Sequence, residues 1–265
     1  MIIGDPVEHS LSPAMHNAGY QALGIDNMFV FVAAHIQTGK VKDAIQAVRV
    51  MNIRGLTCTI PHKVEVMKYL DEIDPIAEKI GAVNTVVNEK GKLKGYNTDW
   101  LGTVAPLEKV LGTIEDKTVA MIGAGGAARA MAYGVLDRGA KLTIFNRTPE
   151  KAEELARDLD GSVSVKTLPE LASEIPMQDI ILNATSLGMG ERIEDSPVQK
   201  ELIHSGQVVF DAVYAPRETK LLREAKEQGA QTIQGIEMLL HQGTAQFELY
   251  TGHKAPVEVM RKVLE

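Results

Sequence analysis

Apolar positions recur along this chain in two rhythms, and the rhythms alternate. "KTVAMI" (117–122) is a short apolar run. Glycines follow, and then "AARAMAYGVLDRG" carries apolar residues at helical spacing. "KLTIFN" (141–146) is a second apolar run. "PEKAEELARDLDG" after it predicts a helix with Thr148 as N-cap and Pro149 in the first turn. "DIILNAT" (179–185), "VVFDAV" (208–213) and "AQTIQ" (230–234) read as further buried strands, and "TKLLREAKEQG" (219–229) as a helix stopped by Gly229. Strands alternating with helices predict a parallel sheet covered on both faces.

The first hundred residues repeat the alternation differently. "SPAMHNAGYQALG" (12–24) predicts a helix with Pro13 in its first turn and Gly24 as its stop. "NMFVFVAA" (27–34) and "IRGLTCTI" (53–60) read as strands, with the amphipathic stretch 38–52 between them as a helix. Residues 82–99 read as a hairpin turning at Lys90-Gly91. The stretches 235–252 and 256–265 are helical in pattern. No Gly/Ser/Pro-rich linker, repeat or low-complexity segment interrupts the chain, so domain boundaries have to come from motifs.

Composition narrows the class. The 265 residues suit two domains, and 45% apolar with 24% charged residues is ordinary for a globular protein. A net charge of −7 without a dense Lys/Arg stripe argues against nucleic acid as the partner. One cysteine, Cys58, permits neither an intrachain disulfide nor a Cys-rich zinc site, and the seven histidines show no metal-ligand spacing. The start "MIIGDPVEHS" lacks signal-peptide features. No apolar stretch approaches the roughly 18 residues of a membrane span. The expectation is a cytoplasmic protein without metal or membrane contact.

"IGAGGAARA" (122–130) follows a strand and opens a helix. As G-x-G-x-x-G/A it places Gly123 at a tight turn, Gly125 where backbone approaches a pyrophosphate, and Ala128 where helix meets strand. The anion then sits at the helix N-terminus. A plain turn is the competing reading, and the strand–loop–helix–strand context favours dinucleotide binding. The second strand of an NAD site ordinarily ends in an acid that binds the ribose 2′-hydroxyl. Here it ends at Asn146-Arg147-Thr148, with Lys151 one turn on. Arg147 can fork onto a phosphate, and Asn146 and Thr148 can donate to it. NADP is therefore preferred over NAD, an exposed Arg beside a helix cap being the alternative. The nucleotide unit spans 101–234, and residues 1–100 with 235–265 form a discontinuous second α/β domain, with the active site expected in the cleft between them.

Polar residues cluster elsewhere. In "GDPVEHSLSP" (4–13), Ser12 reads first as a helix cap, while Ser10 stays open between cap and carboxylate binding. In "TCTIPHK" (57–63), Lys63 falls in what reads as a first helical turn, against the dipole, which hints at function beside the reading of a solvated lysine. "GAVNT" (81–85) and "YNTDW" (96–100) place Asn84, Asn97 and Asp99 at strand ends, Asp99 being equally suited to cap the next helix. "NATSLGM" (183–189) lies at a carboxyl edge near the nucleotide loop, and Gln242 interrupts an apolar helix. His9, His16, His62 and His241 read as polar decoration without a functional role.

The motifs "SLSP", "TIPHK", "GAVNT", "YNTDWLG", "GAGGAARA", "NRTPEKA", "NATSLGM" and "GIEMLLHQG" occur in the order seen in shikimate dehydrogenases, and the resemblance covers nearly the whole chain. It implies a two-domain α/β enzyme, the second domain a Rossmann-type doubly wound parallel sheet. The family interconverts 3-dehydroshikimate and shikimate with NADPH, in chorismate and aromatic amino acid biosynthesis. By resemblance Lys63 is the catalytic lysine and Asp99 its paired carboxylate. Ser10 and Ser12 match the pair that holds the substrate carboxylate. Thr59, Asn84, Asp99 and Gln242 match groups on the ring hydroxyls. Gly123, Gly125, Gly126 and Ala127 match the pyrophosphate loop, and Asn146, Arg147, Thr148 and Lys151 the 2′-phosphate clamp. Thr185, Met189, Tyr214 and Gly235 match residues around the nicotinamide and substrate. The chain departs from the family at Thr57-Cys58-Thr59, where Asn-Val-Thr is usual; the acting threonine survives and the Asn does not.

The rivals are a quinate/shikimate dehydrogenase with broader substrate or NAD use, a non-catalytic NADP sensor on the same fold, and another two-domain dehydrogenase acting on a folate or amino acid. A sensor has no reason to keep the Lys63–Asp99 pair. The third has no need of Ser10, Ser12 and Gln242. The expected partner is a small molecule, shikimate or 3-dehydroshikimate, and the expected assembly a monomer or homodimer.

Overall fold

The computed structural model describes residues 1–159 and 161–265. The chain divides into two compact units, Met1–Asp99 with Leu240–Glu265, and Trp100–Leu239. The first begins with β1 (Ile2–Gly4), α1 (Ser12–Ala22), β2 (Ala33–His35), α2 (Val41–Val50) and β3 (Gly55–Cys58). It continues through β4 (Glu72–Ile73), α3 (Pro75–Ile80), β5 (Thr85–Glu89) and β6 (Lys92–Tyr96). The strands form one mixed sheet in the order β2-β1-β3-β5-β6-β4. β5 runs antiparallel to β3 and β6, and the other pairings are parallel. Val41, Ile45 and Val48 fall on one face of α2 and pack against Ile3, Leu56, Val86 and Leu93 of the sheet.

The β5–β6 connection turns as expected. Lys90 (φ 54°) and Gly91 (φ 89°) both take left-handed backbone, the conformation of the two-residue turns whose twist matches a hairpin. Asn88 Oδ1 accepts from the Gly91 N–H at 2.8 Å.

The strand expected over 27–34 shrinks to its last two residues and His35. The Phe31 backbone is paired by a side chain instead: its N–H donates to Asn17 Oδ1 at 2.7 Å, and its carbonyl accepts from Asn17 Nδ2 at 2.9 Å. Phe31 is buried while Met28 and Val30 are each 73% exposed. Alternation here marks a segment pinned at one residue by an amide.

The chain enters the second unit through α4 (Asp99–Leu111). There follow β7 (Thr118–Ile122), α5 (Gly126–Asp137), β8 (Lys141–Phe145), α6 (Pro149–Asp158), β9 (Val163–Lys166), α7 (Leu171–Glu174) and β10 (Ile180–Asn183). Next come β11 (Val208–Asp211), α8 (Lys220–Glu227) and β12 (Gln231–Ile233). Two helices complete the chain, α9 (Gly235–Thr251) and α10 (Val257–Leu264). The sheet is wholly parallel in the order β12-β11-β10-β7-β8-β9, the doubly wound order of dinucleotide-binding folds.

Its central strands, β7, β10 and β11, read as apolar runs because both faces are covered. Val119, Met121, Ile180, Leu182, Val208 and Phe210 join one core with α5 and α6. The intervening Ala120, Ile122, Ile181 and Val209 join another with Leu221, Leu222 and Ala225 of α8. Strand order reverses between β7 and β10, and beyond the carboxyl ends of these strands such sheets hold their ligands. β9 is not among the expected strands: with only two valines separated by Ser164, it carries too little apolar signal.

Candidate active site

In the first unit, three residues from separate segments converge. Lys63 lies in the turn after β3, where the Val83 N–H donates to its carbonyl at 2.8 Å. Lys63 Nζ donates to Asp99 Oδ2 at 2.6 Å, with the side chains 13% and 7% exposed. The other carboxylate oxygen, Oδ1, accepts from Asn84 Nδ2 at 2.8 Å. Asn84 is buried and its own oxygen accepts from the Thr98 N–H at 2.9 Å. Asn97 fixes the start of α4, its Oδ1 accepting from the Asp99 N–H at 3.0 Å. The result is an ammonium held by one oxygen of a carboxylate whose other oxygen is tied down. Such an ammonium can donate a proton or a hydrogen bond to a neighbouring oxygen.

Two expectations about local structure are corrected. Lys63 does not sit in a first helical turn: residues 61–64 form a turn, and only a short 3₁₀ helix, Glu65–Tyr69, follows. Its setting is an ion pair, and the dipole plays no part. Ser12 is not a cap. It is the first residue of α1, and Ser10 Oγ accepts from the Ser12 N–H at 3.3 Å. The Ser12 hydroxyl is thereby left without a capping role, and Thr59 Oγ1 too has no protein partner among the described residues. Gln242 is buried on α9.

The histidines divide. His9 is exposed, while His16 and His62 are fully buried. His16 stacks on Phe31 with ring centroids 4.3 Å apart, and burial lowers its pKa to about 3, so it is a neutral core ring. The His62 Nε2 lies 2.7 Å from the Ile36 carbonyl.

In the second unit the glycine loop occupies the β7–α5 connection. Gly123 has φ +116°, and a Cβ there would lie 3.0 Å from the Ala184 carbonyl carbon and oxygen. Gly125 is exposed, precedes the first residue of α5, Gly126, and faces open space. Ala127 is half-buried and Ala128 fully buried against the sheet. The first backbone N–H groups of a twelve-residue helix lack intrahelical acceptors, and with room in front of Gly125 they fit a pyrophosphate.

The end of β8 supplies the second anchor. Asn146 Nδ2 donates to the Thr148 carbonyl at 2.8 Å and shapes the turn into α6. Thr148 takes the N-cap position, but its hydroxyl makes no capping hydrogen bond. Arg147 and Lys151 are exposed, and neither side chain is engaged in an ion pair among the described residues. Two cations and a hydroxyl lie where an NAD site would place a carboxylate, which fits a 2′-phosphate.

At the carboxyl ends of β10 and β11, Thr185 Oγ1 donates to Asn183 Oδ1 at 2.7 Å, and Met189 lies exposed farther along the loop. Tyr214 follows β11 and is half-buried, which holds its phenol above the ordinary pKa. Gly235 opens α9 against the chain after β11: a Cβ there would come within 2.5 Å of the Val213 oxygen.

A buried acid that no motif singled out organises these ends. Asp211 Oδ1 accepts from Asn183 Nδ2 at 2.9 Å and from the Val213 N–H at 3.0 Å, and Oδ2 accepts from Thr219 Oγ1 at 2.6 Å. Burial raises its pKa from 3.8 to about 6, against the lowering effect of these three hydrogen bonds. A carboxyl whose folded pKa exceeds its unfolded value favours the folded state below the unfolded value. That advantage is lost as pH rises through the folded value. Between about pH 4 and 6, ionisation of Asp211 should cost about 2–3 kcal/mol. Asp211→Asn should therefore gain thermal stability relative to the parent as pH is raised from 4 to 7. A Tm difference that stays constant across that range would contradict this.

The comparisons with known proteins cover the chain in three pieces. Residues 2–86 match the shikimate dehydrogenase substrate binding domain, residues 106–220 match shikimate / quinate 5-dehydrogenase, and residues 235–265 match the shikimate 5′-dehydrogenase C-terminal domain. A relative from Moorella thermoacetica, named shikimate dehydrogenase (NADP(+)), is 44% identical over 99% of this chain and 91% of its own. A crystal structure of a shikimate dehydrogenase in complex with NADP⁺ superposes with a TM-score of 0.92 at 42% identity, covering 99% of this chain and 93% of that one. The Thermus thermophilus shikimate 5-dehydrogenase in complex with NADP(H) and shikimate gives 0.89 at 33%, covering 99% and 97%.

Proposed function

The chain belongs to the shikimate dehydrogenase family, and on that premise we propose that it catalyses the NADPH-dependent, reversible reduction of 3-dehydroshikimate to shikimate. The observation that carries the reading is the Lys63–Asp99 pair at 2.6 Å, nearly buried and tied to Asn84.

Ketone reduction adds a hydride to carbon and a proton to oxygen. NADPH, when bound, supplies the hydride. Lys63 Nζ stands at the carbonyl oxygen and donates as negative charge builds there; in the reverse direction it receives the hydroxyl proton. Asp99 holds Lys63 through Oδ2, keeps the ammonium aimed, and accepts from the neighbouring ring hydroxyl. Ser10 and Ser12 bind the substrate carboxylate, and Thr59, Asn84, Gln242 and Tyr214 the remaining polar groups. Short hydroxyl and amide side chains suit a polyhydroxylated acid, because a site built to pair each hydroxyl penalises an analogue that lacks one.

The second unit holds the nucleotide. Gly123, Gly125, Gly126 and Ala127 surround the pyrophosphate, and Asn146, Arg147, Thr148 and Lys151 grip the 2′-phosphate. Thr185, Met189 and Gly235 flank the nicotinamide end. The two family-model matches on either side of the nucleotide unit support the same division of labour, with boundaries 1–100 plus 235–265 and 101–234. No helix among the described residues is long and apolar enough to cross a membrane. A cytoplasmic monomer or homodimer completes the reading.

The second reading is a shikimate/quinate enzyme with broader substrate or NAD use; the description of the model matching 106–220, which names quinate beside shikimate, favours its substrate half. Steady-state rates with shikimate and with quinate, each with NADP⁺ and with NAD⁺, separate the two. Shikimate with NADP⁺ should have the highest kcat/KM. Comparable values for quinate or for NAD⁺ would shift the assignment to the broader enzyme.

A further inference from the structure

A file of buried polar groups runs through the first unit and ends on Asp99. Its far end is Tyr250 on α9, whose hydroxyl lies 2.9 Å from Thr57 Oγ1 on β3. Thr57 Oγ1 donates to Gln246 Oε1 at 3.1 Å. A hydroxyl has one proton to give, so Thr57 must accept from Tyr250. Gln246 Nε2 donates to Thr85 Oγ1 at 2.9 Å, and Thr85 Oγ1 donates to Asn84 Oδ1 at 2.7 Å. Asn84 Nδ2 then donates to Asp99 Oδ1. Every donor points the same way, toward the carboxylate.

Thr57, Thr85, Asn84, Gln246 and Tyr250 are all buried, so water is not at hand to replace a missing link. Burial also holds the Tyr250 phenol above its ordinary pKa, which keeps the donor protonated. Aligned hydrogen bonds in a dry interior reinforce one another. The file also joins four elements, β3, β5, α9 and, at Asp99, the start of α4. Gln242, Gln246 and Tyr250 are spaced by four residues and share one face of α9. The anchoring of Gln246 and Tyr250 therefore sets the rotation of α9 at Gln242 relative to Asn84 and Asp99.

We infer that Thr57, Thr85, Gln246 and Tyr250 are positioning residues for the reaction: a one-directional hydrogen-bond spine that holds Asn84 against Asp99 and keeps α9 in register with that pair. The inference rests on the roles proposed above for Lys63 and Asp99. Thr57 stands where the family usually has Asn, and the spine gives this chain's hydroxyl a use there. It acts on placement within the first unit, so nucleotide affinity should not change.

The test compares Thr57→Val, which keeps the shape and loses the hydroxyl, with Thr57→Ser, which keeps the hydroxyl. Thr57→Val should lower kcat for shikimate oxidation by about 3–10-fold, the size of a coupled contact, with KM for NADP⁺ unchanged. Thr57→Ser should remain within about 2-fold of the parent. In an Asp99→Asn background the Thr57→Val effect should disappear, because the spine acts through Asp99. If Thr57→Val does not fold, Tyr250→Phe, which removes only the terminal hydroxyl, takes its place in the same cycle. An equal loss for Val and Ser, no loss for Val, or the same loss in the Asp99→Asn background would overturn the spine alone. An Asp99→Asn variant with the parental kcat would overturn the proposed role of Asp99, and the spine with it.

Discussion

Lys63→Ala should lower kcat for shikimate oxidation by at least about 10²–10⁴-fold, the range that a positioned acid or base contributes, while NADP⁺ still binds. The size follows from the site. Lys63 is the cation of a pair 13% and 7% exposed, and its ammonium is 2.6 Å from Asp99. Alanine removes the proposed proton donor and leaves the carboxylate nearly buried without its cation, so some stability is lost as well; breaking a fully buried pair typically costs about 3–5 kcal/mol. Unfolding and chemical failure are separable, because the groups proposed above for the nucleotide belong to the other compact unit. NADP⁺ binding measured by nucleotide fluorescence should be close to parental while turnover collapses. A nearly normal kcat would remove Lys63 from the chemistry.

Arg147→Ala should raise KM for NADPH by about 10–100-fold, the size of one charge-assisted hydrogen bond at about 1.5–3 kcal/mol, and leave KM for NADH nearly unchanged. The guanidinium is exposed at the end of β8 and is committed to no carboxylate among the described residues, so removing it disturbs little of the protein. What is lost is the proposed partner for the 2′-phosphate, a group that NADH lacks. Lys151 and Thr148 remain beside it, so the loss is partial. The check is steady-state kinetics in the reductive direction with both nucleotides. Equal changes for NADPH and NADH would mean that Arg147 does not read the phosphate.

How much of this was legible in the sequence depended on the kind of signal. Local chemistry was legible. The Lys90-Gly91 hairpin needs two left-handed residues in succession and has them. The β7–α5 loop needs glycine where a Cβ would strike Ala184, and Gly123 is there. The buried strands of the second unit announced themselves as apolar runs.

What failed depended on partners distant in the chain or on the course of a loop. Residues 28–32 have a strand's apolar run, but Asn17 takes Phe31's backbone hydrogen bonds. Ser12 has the spacing of a cap, but it lies inside α1 and Ser10 accepts from its N–H. A helix dipole would give Lys63 a signal of its own, but the turn at 61–64 does not offer one. The pairing with Asp99, 36 residues on, came from the family resemblance.

The supporting groups were harder still. Thr57 and Thr85 sit in strands, where threonine is common for its shape alone, so nothing in their spacing announces a hydrogen-bond file. Gln246 offered a usable clue: it lies one turn beyond Gln242 on the same helix, a second amide in an apolar pattern. Asp211, inside the apolar run "VVFDAV", was a clue of the same kind. A single acid in a buried strand requires specific partners, here Asn183, Val213 and Thr219.

The central claim is that this chain works as an NADP-dependent shikimate dehydrogenase. It is tested most directly by following the NADPH absorbance band when the purified chain is mixed with shikimate and NADP⁺. The band should grow at a rate proportional to enzyme, and reverse when 3-dehydroshikimate and NADPH are supplied instead. A chain that binds NADP⁺ yet produces no NADPH from shikimate would contradict the claim.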